Sequence, residues 1–184
     1  MPPDEKFGEA AIIADHSGKP NQIADLLQAL QREHNIEFSL RNLELMLRGG
    51  SIEKRANELL KERLKNRKLA EKLVEEGQIK KLGHTFYVVH KEKLDSAIVS
   101  SLLPDAFVVL VFRPHSGSKW IAKVRLGENA PSGLNLHQVM AGLDPNYGGR
   151  WNAGNNKRAG GTDIPPQKYA EMVNRSVIKL VDKK

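Results

Sequence analysis

With 184 residues, 40% of them hydrophobic, the chain has material for one large domain or two small ones, although only 5% is aromatic. It has no Cys, which excludes disulfides, thiolate catalysis and Cys-type zinc sites. A formal net charge of +7 and a pI near 9.6 favour anionic partners such as nucleic acid, nucleotides or an acidic surface.

No apolar run approaches membrane-spanning length, and the N-terminus lacks the basic-then-apolar order of a signal peptide. A cytoplasmic protein that engages no membrane is expected.

In chain order, Ala10-Ala11-Ile12-Ile13-Ala14 reads as a short buried strand leading into a turn at residues 15–20. Asp15 and His16 in that turn have no acidic cluster nearby to complete a metal or acid–base site. An Asp bonding its own backbone fits better. Ile23, Leu26, Leu27 and Leu30 then recur at helical spacing with Asn21 as a cap. A second short helix is predicted from Ser39 to Arg48, with Leu40, Leu43 and Leu47 on one face and Gly49-Gly50 beyond its end.

From Ser51 the pattern predicts a long helix running to Gly77. Ile52, Ala56, Leu59, Leu60, Leu64, Leu69, Leu73 and Val74 form a narrow apolar stripe, while Lys61, Arg63, Lys65, Arg67 and Lys68 make the middle basic. Such a helix serves as a connector, a homodimer seam or a nucleic-acid track. Connector is preferred, because composition differs sharply on its two sides.

After Gly77 the signals become mixed. Thr85–Val89 reads as a strand and Leu94–Leu103 as a helix. Ala106–Phe112 is a strand buried on both faces, and Lys119–Leu126 a half-solvated strand across a turn. Ser132–Gly142 reads as a further helix. Pro165-Pro166 announces a C-terminal helix with Tyr169, Met172, Val173, Val177 and Leu180 on one face. The fold class is therefore α/β (α+β). It consists of a small mixed sheet covered by helices, preceded by a long linking helix and a short helical N-terminal segment.

Residues 147–162 between the last two helices stand apart. Five of the sixteen are Gly, interleaved with Arg150, Lys157, Arg158 and three Asn. Gly loses the most entropy on ordering and adds no packing surface, so an exposed loop is expected rather than a helix or strand. Its backbone N–H groups and guanidinium groups would suit a phosphate or carboxylate. The alternative is a glycine loop with no ligand. Trp151 suits either core anchoring or stacking on a base.

From about Gly83 onward the chain resembles the DHH-associated domain, the substrate-binding half of DHH-family, RecJ-like phosphoesterases. A related module closes alanyl-tRNA synthetases. The resemblance rests on the apolar strand before Arg113, the strand ending Val124-Arg125-Leu126, the helix at Leu134–Gly142, and Gly148-Gly149 opening a glycine-rich loop. Within that loop, Asn152-Ala153-Gly154 and Ala159-Gly160-Gly161-Thr162 match the small-residue run that follows the glycine pair.

The resemblance implies a substrate-binding set of Arg125, Gly148, Gly149, Arg150, Asn152, Asn155, Lys157, Arg158, Gly160, Gly161 and Thr162. Many members have His where this chain has Arg150, which keeps anion binding but removes any role that needs a neutral imidazole. The family's catalytic half binds two manganese ions through Asp-rich motifs, Asp-His-His among them, and this sequence carries no such set. Hence no catalytic residue and no metal ligand are assigned in this chain, and manganese is implied only for the missing catalytic half.

On this reading residues 1–50 are the tail of a catalytic half, 51–82 the linking helix and 83–184 the DHH-associated substrate-binding domain. The partners implied are a nucleotide or single-stranded nucleic acid and a catalytic DHH half. The chain alone would be inactive as a phosphoesterase. The alternative is a stand-alone RNA- or DNA-binding module related to the C-terminal domain of alanyl-tRNA synthetase.

Overall fold

The computed structural model describes residues 3–182. The chain forms two compact units, one running to Leu69 and one from Ala70, so the division falls inside a single helix.

The first unit is helical from its start. Helix α1 (Pro3–Ile12) continues into a π-helical turn, Ile13–Ser17, which Gly18 closes in the left-handed region at φ 67°. The strand expected at residues 10–14 is therefore helix. Ala10 and Ala14, four residues apart, face one neighbour and pack with Ala24, whereas Ile12 is 64% exposed. A spacing of four with small residues at the contact is the signature of close helix packing, and it outweighs the β-branched character of the run.

Helix α2 (Gln22–Leu30) is capped as expected, with Asn21 Oδ1 accepting from Ala24 N at 2.9 Å. Helix α3 (Ile36–Leu47) begins three residues before Ser39, because Asn35 caps it by accepting from Phe38 N. Helix α4 (Lys54–Glu75) starts where Asn42 Oδ1 accepts from Glu53 N and Glu53 O accepts from Asn57 N. Leu26, Ala29, Leu30, Leu43, Ala56, Leu59 and Leu60 form the core of this unit.

Two members of the basic run on α4 are not solvated. Arg63 and Arg67 are buried, and both donate to Asp25 Oδ1, at 2.7 and 2.8 Å. Arg67 also reaches the carbonyls of Gly18 and Lys19, tying the π-helical turn to α4. The exposed cations of that run are Lys61, Lys65 and Lys68.

In the second unit α4 ends at Gly77, whose φ of 66° lets its N–H bond Val74 O while Gln78 N bonds Leu73 O. There follow β1 (Lys80–Leu82), β2 (Thr85–Val89), α5 (Ser96–Ser101), β3 (Val108–Pro114), β4 (Trp120–Leu126), α6 (Leu136–Met140), β5 (Gly148–Gly149), β6 (Ala153–Asn155) and α7 (Pro166–Val181).

The six strands form one sheet in the order β1-β2-β3-β4-β6-β5. β2 and β3 are parallel and joined through α5; the other neighbours are antiparallel. This is the mixed sheet covered by helices that the sequence predicts. Helices α5 and α6 are shorter than their apolar spacing suggests. Asp95 and Asn135 cap them late, although Leu94 and Leu134 ahead of the caps are still buried.

Strand periodicity of two splits the sheet into faces. Val108, Leu110 and Phe112 of β3 with Ala122 and Val124 of β4 pack against Leu136, Val139 and Met140 of α6 and Tyr169, Val173 and Val177 of α7. The alternating set, Val109, Val111 and Ile121, is also buried and lies on the face that carries α5. Lys123 and Arg125 share that second face by register.

Candidate functional site

The glycine-rich segment departs from the loop its composition predicts. Gly148-Gly149 and Ala153–Asn155 pair as a hairpin and extend the sheet, with Gly149 opposite Gly154 and Lys123 opposite Asn155. Two backbones approach closely here. A Cβ on Gly149 would meet Gly154 Cα and Ala153 O, and one on Gly154 would meet the Tyr147 ring and Gly148 O. Glycine is needed for strand pairing. Neither Gly148 nor Gly149 has positive φ, and a Cβ on Gly148 would have only Asn155 O nearby, at 3.9 Å.

Beyond the hairpin a 3₁₀ turn, Lys157–Ala159, ends at Gly160 and Gly161, with φ of 81° and 82°. Trp120 and Thr162 then exchange backbone hydrogen bonds. Most of the segment's N–H donors are consumed internally. Arg150 N bonds Ala153 O, Asn156 N bonds Ala122 O, and Lys157 N bonds Asn155 Oδ1. Gly160 N bonds Lys157 O, and Gly161 N bonds Asn156 O. Side chains, more than backbone amides, are what this segment offers to a ligand.

A buried polar cluster holds the segment in place. Asp144 accepts from Asn146 N at 2.9 Å, from Asn156 Nδ2 at 3.1 Å and from the Tyr169 hydroxyl at 2.9 Å. Asn156 Oδ1 accepts from Ala122 N, and Asn146 Nδ2 donates to Gly161 O. Burial, followed by the nearby Asp144, pushes the Tyr169 phenol well above its usual range and keeps it a donor. Each buried polar group in this cluster has a partner, which is the condition for keeping it inside.

On the α5 face of the sheet the hairpin borders a pocket of about 270 Å³, lined by Lys93, Leu94, Val111, Arg113, Ile121, Lys123, Asn155 and Lys157. Arg113 and Lys123 are half-buried, and Lys93 and Lys157 are exposed. Lys123 Nζ donates to Leu94 O, fixing the segment that enters α5. Four cations surround an apolar floor of Leu94, Val111 and Ile121.

Of the residues singled out from the sequence, Asn155 and Lys157 line this pocket. Arg125 lies on the same face of β4, two residues beyond Lys123. Arg150 and Arg158 are exposed on the hairpin turn and the 3₁₀ turn. Asn152 sits at the hairpin tip, its carbonyl accepting from Leu126 N. Gly160, Gly161 and Thr162 clamp the segment to β4 and lie outside the lining. Trp151, 54% exposed at the hairpin tip, anchors no core.

Sequence reasoning missed Lys93, Arg113 and Lys123. The paired register of β3 and β4 would have placed Arg113 and Lys123 on one face; nothing short of the fold places Lys93 beside them.

Asp15 and His16 form an exposed pair at 3.5 Å in the π-helical turn. Among the described residues, no three His, Asp or Glu side chains converge where they could hold a metal ion.

Comparison with family models and with curated proteins finds no match. Among solved structures, the fold is similar to a pGpG-specific phosphodiesterase, PggH, from Vibrio cholerae. The TM-score is 0.59 at 13% identity, over 95% of this chain and 65% of that one. The chain thus spans less than two thirds of that enzyme's length. An uncharacterized protein from Helicobacter pylori G27 aligns with 97% of this chain and 53% of its own, at 12% identity, but its TM-score of 0.32 is too low to bear on the fold. No helix among the described residues is long and apolar enough to cross a membrane.

Proposed function

We propose that this chain is the substrate-binding portion of a DHH-type phosphoesterase and holds the phosphates of a nucleotide or of a single-stranded nucleic-acid end. The observation that carries this is the pocket with four cations bordered by the glycine hairpin. Arg150, Lys157 and Arg158 project from the hairpin and the turn after it, and Arg125 extends the same basic face along β4. Guanidinium and ammonium groups gathered at one part of the sheet suit phosphates, which they bind by charge-assisted hydrogen bonds. The fold likeness to a phosphodiesterase of a dinucleotide supports the same substrate class. Acidic residues for metal-dependent hydrolysis would come from a catalytic DHH half, with which this chain would act.

Calorimetric titration with pGpG and with short oligonucleotides tests the proposal. Lys157→Gln and Arg158→Gln should each weaken binding about tenfold or more, the loss of one charge-assisted bond worth roughly 1.5–3 kcal/mol. An absence of binding at low salt would overturn it.

The exposed Trp151 favours a second reading, a stand-alone module that stacks bases of single-stranded RNA or DNA. Salt separates the two. Tracking along a backbone gives a steep fall of affinity with salt, and a pocket for one or two phosphates a shallow one.

A further inference from the structure

We infer that the outer face of α3 is the seam of a symmetric dimer, where a second copy of this chain docks through the same face. This goes beyond the nucleotide-binding role, which belongs to the other unit. The fold leaves an apolar stripe uncovered here. Ile36 and Leu40 are 76% and 60% exposed, and with Ile12 they are the most exposed large hydrophobic side chains among the described residues. At about 100° per residue, Ile36, Leu40 and Leu47 fall within about 40° of one another around the helix. Leu43, at the edge of the stripe, turns into the core of the unit. Phe7 of α1 joins Leu40, Leu43 and Leu47 in lining a groove of about 480 Å³, whose charged members are Asp4, Glu44 and Arg48.

The stripe reads the same in both directions. Ile36, Leu40, Leu43 and Leu47 are spaced four, three and four apart. An antiparallel α3 from a second copy, related by a two-fold axis between residues 41 and 42, sets Ile36 against Leu47 and Leu40 against Leu43. Leu40 of each copy then enters the groove of the other. The residues that follow each member of the stripe are Glu37, Arg41, Glu44 and Arg48, all exposed and alternating in sign. The same operation brings Glu37 towards Arg48 of the second copy and Arg41 towards its Glu44, so opposite charges meet along the flank. Within the chain Arg48 meets Glu44 and Arg41 meets Glu53, each at 2.6 Å. Exposed pairs of this kind contribute little, and their carboxylates can be shared across an interface. A flank of one sign would call for a partner of the other sign, whereas an alternating flank complements its own reverse. Antiparallel packing also sets the two helix dipoles head to tail. Because each copy uses the same patch, the contact closes at two copies.

Sedimentation of the full chain over a range of concentrations tests the dimer. Wild type should pass from the 20.5 kDa monomer to twice that mass as concentration rises. Leu40→Glu places a carboxylate in the seam and should weaken the dimer about tenfold or more, while its melting temperature at low concentration stays near that of wild type. Arg48→Glu should weaken the dimer too, by setting it against Glu37 of the second copy. Adding Glu37→Arg to that variant should restore the dimer, because the exchanged charges again meet as opposites. Leu64→Glu, at the exposed leucine of α4, should leave it unchanged. Wild type still monomeric at about 1 mM overturns the inference, and is the result expected if a different chain fills the groove. A dimer undisturbed by Leu40→Glu in the folded protein overturns it as well. So does dissociation by Leu64→Glu, which would move the seam to α4. Were Leu40→Glu to unfold the unit, the charge exchange decides, and no recovery in the double variant overturns the antiparallel seam.

Discussion

Tyr147 shows how one residue can serve the hairpin without bonding to it. Its ring lies against Gly154, and its hydroxyl is buried with no hydrogen-bond partner among the described residues. Burial pushes its phenol up to about 12. A folded-state value above the unfolded value of about 10 means that the contribution to stability is fully present below pH 10. It is lost as the pH rises through the folded value, because the unfolded chain releases its proton first. Tyr147→Phe should therefore soften the fall in melting temperature between about pH 10 and 12. Tyr169, shifted the same way, should preserve part of the fall. Scanning calorimetry across that range checks this, and parallel curves for wild type and variant would count against it. Below pH 9 the variant should be no less stable, since the lost hydroxyl had no bond to give up.

At the scale of elements, the hairpin β5–β6 turns on a difference between adjacent glycines. Gly149→Ala would drive a Cβ into the backbone of Gly154 and Ala153, whereas Gly148→Ala meets nothing closer than 3.9 Å. The first should force β5 away from β6, weakening the proposed nucleotide binding and increasing amide exchange at residues 150–155. The second should leave both near wild type. If both variants retain exchange protection and binding, the close pairing of the two backbones is not what requires glycine here. The composition of this segment was legible in the sequence, but its pairing was not. Glycine carries no side-chain pattern, so only β4 and the Asp144 cluster, remote in sequence, fix it as strand. The same distance hid the burial of Arg63 and Arg67, whose partner Asp25 lies 38 and 42 positions away. By contrast β2, β3, β4 and α7 were legible, because each carries its own apolar period and a local stop signal.

For the whole molecule the question is how the formal charge of +7 is divided between function and solvation. Part of it is structural: Arg63 and Arg67 hold Asp25, and Lys123 holds Leu94 O. Part lines the pocket. Lys61, Lys65 and Lys68 remain as exposed cations within about two turns of α4, close enough in sequence to act on a polyanion together. Changing all three to Gln lowers the formal charge from +7 to +4 and removes no buried contact. Should this helix track a phosphate backbone, the triple variant will bind long oligonucleotides more weakly and by the same factor whatever their sequence. Its salt slope will also be shallower by up to about three counterions. Binding of a dinucleotide, which the proposed function gives to the pocket and hairpin, should scarcely change. Titration of a mixed-sequence oligonucleotide and of pGpG at several salt concentrations separates these effects. An unchanged slope for the oligonucleotide would assign the exposed lysines to solvation and α4 to connecting or pairing, leaving the sheet edge as the whole of the proposed nucleotide site.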